Sequence, residues 1–139
     1  MTAAPGDRGS GPGRACSRVF PARADQVALA RAFAREMLAG CPAADDLVLA
    51  CSELASNSVR HSASARPGGE FTVRLEVRGD DWAWIEVEDE GGPWERKKRS
   101  GEGQYHGLGI VDAVADYWDI REDDTSRTVC VRIDWPSGA

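Results

Sequence analysis

An α/β fold built on antiparallel hairpins is predicted by three features of this sequence. Residues 45–61, DDLVLACSELASNSVRH, place Leu47, Ala50, Cys51, Leu54, Ala55 and Val59 at mostly three- and four-residue spacings, the mark of a helix with one apolar face. Phe71, Val73, Leu75 and Val77 alternate with Thr72, Arg74, Glu76 and Arg78, and a return strand over Trp82–Asp89 follows the Gly79-Asp80 turn with Ala83, Ile85 and Val87 on one face. Helical patterns and hairpins alternate along the chain without the strand–helix–strand rhythm of a parallel sheet.

The chain has 139 residues, enough for one domain with a single core. Its formal net charge is -6, from 23 acidic and 17 basic residues, which gives no electrostatic case for nucleic acid or an anionic membrane. Proteins or small molecules are the expected partners. Cys16, Cys41, Cys51 and Cys130 form no CxxC pair and have no spaced histidine partners, so neither a zinc site nor a redox motif is encoded. Reduced thiols fit best. No apolar run approaches the roughly 20 residues of a membrane span, and no signal-peptide core is present, so the expected location is the cytoplasm.

In chain order, residues 1–15 are Gly- and Pro-rich without a large apolar side chain and are expected to be a disordered tail, leaving 16–139 as the folded domain. Residues 16–20 read as a short edge strand halted by Pro21. Asp25 is a candidate N-cap for a helix over 26–39, with Val27, Ala30, Phe33, Ala34, Met37 and Leu38 on its apolar face and Gly40 ending it. Breaker residues at 62–69 close the second helix. Ile110, Val111, Val114, Ala115, Tyr117 and Trp118 fall at helical spacing after Gly107-Leu108-Gly109. Residues 120–122 and 128–135 then read as a closing strand pair around Asp123-Asp124, with Val129, Val131, Ile133 and Trp135 on the buried face.

Four places carry candidate chemistry. Glu53, Asn57 and His61 recur at steps of four on the helix over 45–61, so a carboxylate, an amide and an imidazole line one stripe. That stripe is either a solvated polar face or a pocket wall in which the Asn57 amide oxygen serves a hard cation such as magnesium and Glu53 deprotonates a hydroxyl or water. Asp89 continues the buried line of its strand, where a carboxylate needs donors, and Gly91-Gly92 follows; the alternative is a strand stopping at a polar turn. The segment 94–106, WERKKRSGEGQYH, reads as a lid, a binding loop or disorder, and its basic run at 96–99 either meets phosphates or is a solvated loop. Gly107 and Gly109 open a helix either as an anion-binding loop or as a tight turn.

These motifs, in this order, resemble the nucleotide site of the GHKL ATPase superfamily and, within it, the small anti-sigma-factor serine/threonine kinases. ELASNSVRH is similar to their N-box, EDEGGP to the first glycine box and HGLGIVDAVAD to the second, and the likeness spans nearly all of residues 18–135. His106 departs from the pattern, which often has arginine before that glycine. The resemblance implies a histidine kinase-like ATPase domain of Bergerat type. Its architecture is a two-layer α/β sandwich, with three helices on one face of a mixed, mostly antiparallel sheet. It implies ATP and Mg2+ as cofactors, Asn57 as the magnesium ligand and Glu53 as the catalytic base. Asp89 would accept the adenine amino group, and Gly91 would give the base room. Gly107, Leu108 and Gly109 would hold phosphates, residues 94–106 would form the lid, and Thr128 would lie close to the adenine. Arg60 and His61 end the N-box without an assigned role, a structural one being the expectation for His61.

The implied function is an ATP-binding anti-sigma factor with serine kinase activity. It would sequester a sigma factor and phosphorylate an anti-anti-sigma partner of the STAS type, with a homodimer as a compatible assembly. The alternative is an ATP-dependent protein-binding module that transfers nothing. A sensor histidine kinase is disfavoured because the chain has no room for a dimerisation helix pair, and a topoisomerase or repair ATPase because it has no transducer domain.

Overall fold

The computed structural model describes residues 13–61, 67–78, 81–91 and 108–135. Among them, five strands and three helices follow one another as β1 (Gly13–Pro21), α1 (Ala24–Met37), α2 (Ala44–His61), β2 (Glu70–Arg78), β3 (Trp82–Asp89), α3 (Leu108–Val114), β4 (Tyr117–Glu122) and β5 (Arg127–Asp134). The strands form one sheet in the order β1-β2-β3-β5-β4, and all of these neighbours pair antiparallel. Helices lie against one face, which makes the two-layer α+β sandwich that the sequence predicts.

Alternation makes the sheet two-sided. Phe71, Val73, Leu75 and Val77 of β2, Ala83, Ile85 and Val87 of β3, and Val129, Val131 and Ile133 of β5 all point into the core with α1 and α2 above them. Leu47, Ala50, Cys51, Leu54 and Ala55 supply the matching stripe of α2, and Ala30, Ala34 and Leu38 that of α1 and its end. At one edge Phe20 stacks on its register partner Phe71, with ring centroids 5.4 Å apart, and meets Phe33 edge-on. Asp45 and Asp46 sit in the first turn of α2, where acidic side chains complement the free N–H groups.

Several boundaries differ from the sequence reading for identifiable reasons. β1 begins at Gly13, three residues before the expected start, because its backbone keeps pairing along β2 to Arg78 whatever its side chains are; residues 1–12 of the expected tail lie outside the described residues. Asp25 is not the N-cap of α1: the cap is Arg23, in extended backbone without a side-chain cap, and Asp25 stands in the first turn and accepts from the Arg23 guanidinium. Gly40, at φ +86°, ends that helical region as expected, a conformation that favours glycine. α3 stops at Val114. Tyr117 and Trp118 belong to β4, because Asp116 already donates its N–H to Arg132 of β5 and starts the ladder.

The face away from the helices is less polar than the alternation suggests. Trp82 and Trp84 bury themselves there with Cys130. Trp84 stacks on Tyr117 at 6.3 Å, and the Arg132 guanidinium lies 4.7 Å from the Trp82 ring centre.

Candidate functional site

The C-terminal half of α2, the end of β3, the start of α3 and the start of β5 meet at one end of the sandwich. Leu54, Asn57, Ser58, Val87, Asp89, Leu108, Arg127 and Val129 enclose a cavity of about 10 Å³ there. Helical periodicity brings α2 to this point: Cys51, Leu54 and Ser58 continue its apolar face down onto β3, and Asn57 stands beside them. Asn57 is 5% exposed and Asp89 6%, so two side chains that the sequence singled out are both withdrawn from water and share one space.

Asp89 is held by donors from three directions. The Ser58 hydroxyl donates to its Oδ2 at 2.7 Å, the Arg127 Nη2 donates to the same oxygen at 3.0 Å, and the Gly91 N–H donates to Oδ1 at 2.8 Å. A buried carboxylate requires such partners, because leaving it unpaired would cost several kcal/mol. Gly91 makes its bond at φ +65°, a left-handed backbone that a side chain would strain, and it packs against the Ser126 backbone. A carboxylate offers roughly four acceptor directions, and the described residues fill three, which leaves Oδ1 room for one more donor.

The remaining expected site residues divide. Leu108 is buried in the wall of the cavity, whereas Gly109 is exposed, with nothing within 4 Å of where a Cβ would stand. Glu53, half-buried, is one turn before Asn57 on α2 and does not line the cavity. Arg60 is exposed. Gly107, the lid at 94–106 and the His61 side chain lie outside the described residues.

Thr128 is not brought to Asp89. Its register partner is Glu88, so its side chain faces the opposite side of the sheet, in the wall of a hollow of about 610 Å³ with Arg74, Glu76, Trp84 and Glu86. That larger hollow is open, and its charged walls are already paired: Arg74 binds Glu86 at 3.3 Å and also Glu88, Glu76 binds Arg78 and Arg121 binds Asp119. The smaller, buried space is therefore where unusual chemistry converges. The residue that faces Asp89 from β5 is Arg127, its register partner, and neither Arg127 nor Ser58 stood out in the sequence reading.

Asn57 suits a hard cation. Its amide oxygen is the kind of donor that magnesium takes alongside phosphates and water.

The model of the histidine kinase-like ATPase domain matches residues 20–134, which holds every element from the end of β1 to β5. Among solved structures, the chain is similar to the RsbU and RsbW domains of Rv1364c from Mycobacterium tuberculosis, with 22% identity and a TM-score of 0.68 over 89% of this chain. It spans about a third of that solved chain, 34% of its length, and the likeness is one of fold. No curated protein is similar enough in sequence to count as a relative. No helix among the described residues is long and apolar enough to cross a membrane. The architecture, the match over residues 20–134 and the convergence of Asn57 with Asp89 agree: the chain belongs to the histidine kinase-like ATPase family.

Proposed function

We propose that this protein is an ATP- and Mg2+-dependent serine/threonine kinase of the anti-sigma type. It holds a sigma factor in the cytoplasm and phosphorylates an anti-anti-sigma partner of the STAS type. The observation that carries the reading is the meeting of Asn57 and Asp89, from α2 and β3, in one buried space walled by Leu108 of α3. The N-box, glycine-box order and the fold shared with a solved RsbW domain support the same choice.

The free acceptor direction on Asp89 Oδ1 takes the adenine amino group, and Leu108 and Gly109 at the start of α3 lie toward the phosphates. The amide oxygen of Asn57 would hold magnesium, which, when bound, neutralises charge developing on the phosphates. Glu53 accepts the proton of the partner's serine hydroxyl as its oxygen attacks the γ-phosphorus. The bond from that phosphorus to the bridging oxygen breaks, and ADP leaves with the bonding pair.

The experiment combines labelled ATP with a candidate anti-anti-sigma protein and follows label transfer for wild type, Glu53→Ala and Asn57→Ala. Glu53→Ala is expected to keep its ATP affinity and lose about 10²–10⁴-fold in transfer rate. Asn57→Ala is expected to lose magnesium-dependent affinity as well. Transfer at the wild-type rate in Glu53→Ala removes the base assignment. ATP-dependent partner binding without any transfer favours the non-catalytic binding module instead.

A further inference from the structure

The space beside Asp89 is too small for a purine. At about 10 Å³ it holds no more than a water molecule, and the Arg127 side chain is one of its walls. Arg127 and Asp89 are 2% and 5% exposed at their side chains and bonded at 3.0 Å, so the ion pair lies across the carboxylate that an adenine would read. Among the other walls, Leu54, Val87, Leu108 and Val129 are packed into the core, and Ser58 has a short side chain bonded to Asp89. Arg127 has a long flexible stem and starts a strand next to an exposed turn at 123–125.

The sheet also supplies a second carboxylate for it. Arg127 is the register partner of Asp89 on β3 and of Glu122 on β4, and Glu122 is exposed at the outer edge. A carboxylate, a guanidinium and a carboxylate thus stand in one row across three strands. A shift toward Glu122 vacates the inner space while keeping the guanidinium charge beside an acid.

We propose that Arg127 is the gate of the base subsite, closed on Asp89 without nucleotide and swung toward Glu122 when the base enters. This inference rests on the ATP reading above and adds the residue that sets its affinity. The closed pair competes with the ligand, so the apparent affinity is the intrinsic one reduced by the fraction of molecules with the gate open. Removing the guanidinium from Oδ2 clears the space beside Asp89, and the adenine amino group then donates to Oδ1.

The test is calorimetric titration of ATP into wild type, Arg127→Met, Arg127→Lys and Glu122→Gln, with folding checked by thermal melting. Arg127→Met, which keeps the apolar stem, is expected to bind ATP at least about tenfold more tightly than wild type. Arg127→Lys, still a cation on Asp89, stays near wild type, and Glu122→Gln binds more weakly because the open position loses its acid. Equal or weaker binding by a folded Arg127→Met overturns the gate while leaving the ATP reading standing. Absence of ATP binding in every variant overturns both. A second measurement needs no variant to fold: the Arg127 Nε–H signal in nitrogen-proton NMR spectra of wild type is expected to shift on ATP addition. An unmoved signal under saturating ATP also overturns the gate.

Discussion

The two faces of the sheet each carry an arginine paired with carboxylates, and they differ in what surrounds the pair. Under the helices, the Arg127 and Asp89 side chains are 2% and 5% exposed; on the other face, the Arg74 side chain is 42% exposed where it bridges Glu86 and Glu88. The residues involved are neighbours in sequence, Glu88 beside Asp89, with Thr128 and Arg127 opposite them, so one step along a strand separates a buried site from a surface network. The buried pair is costly to break, because Asp89 without Arg127 loses its charged donor in a low-dielectric space. The exposed one is exchangeable with water and screened by salt.

The largest stability effect is therefore expected at Asp89. Asp89→Ala leaves the Arg127 guanidinium buried without its carboxylate and removes the acceptor for Ser58 and Gly91, and it is expected to cost about 3–5 kcal/mol in urea unfolding. A loss below about 1 kcal/mol would show that the pair is wet and that the two faces do not differ as described.

The cysteines sharpen the same comparison. Cys51 in the helix-covered core and Cys130 behind the tryptophans on the other face are both fully buried, and burial pushes both thiols up to about 12. Cys16 and Cys41 are partly exposed. A thiol reagent at pH 8 is expected to label Cys16 and Cys41 in the folded protein, and Cys51 and Cys130 only after unfolding. Fast labelling of Cys130 would mean that Trp82 and Trp84 do not seal their face. With the folded-state value raised above the ordinary 9.0, the folded chain keeps a proton that the unfolded chain releases. The two thiols thus add stability that is full below pH 9 and lost as the pH rises toward 12.

The smallest effect belongs to the surface pair. Arg74→Ala is expected to change unfolding free energy by less than about 1 kcal/mol, and less again at high salt. A loss as large as that of Asp89→Ala would make the open face a second structural centre.

Much of this was legible in the sequence, and the failures have physical causes. The hairpin of β2 and β3 and the helix α2 follow from strong periodicity, and both ends of β3 fall where the alternation puts them. The family followed from three motifs in order. Asp89 stood out because it continues a buried line, and the same reasoning applied to β5 reaches Arg127: counting back by twos from Ile133, Val131 and Val129 arrives there, not at Thr128. A charged residue at a buried position is easily discounted when its partner lies on another strand, and only the register between β3 and β5 joins Arg127 to Asp89. Ser58 was hidden similarly, a polar residue continuing the stripe of Cys51 and Leu54. Tyr117 and Trp118 were misplaced in α3 because aromatic residues after a short amphipathic run fit helical spacing as well as a strand start. The cross-strand bond from Asp116 decides the matter.

In the proposed function, the buried end of the sandwich, not the larger hollow on the opposite face, takes an adenine nucleotide through Asp89. Calorimetric titration of the wild-type protein with ATP and then with GTP, in magnesium-containing buffer, tests it most directly. ATP is expected to bind, and GTP to bind at least about tenfold more weakly, because guanine presents a carbonyl where the carboxylate needs a donor. GTP binding as tight as ATP, or no heat from either nucleotide, would contradict the account.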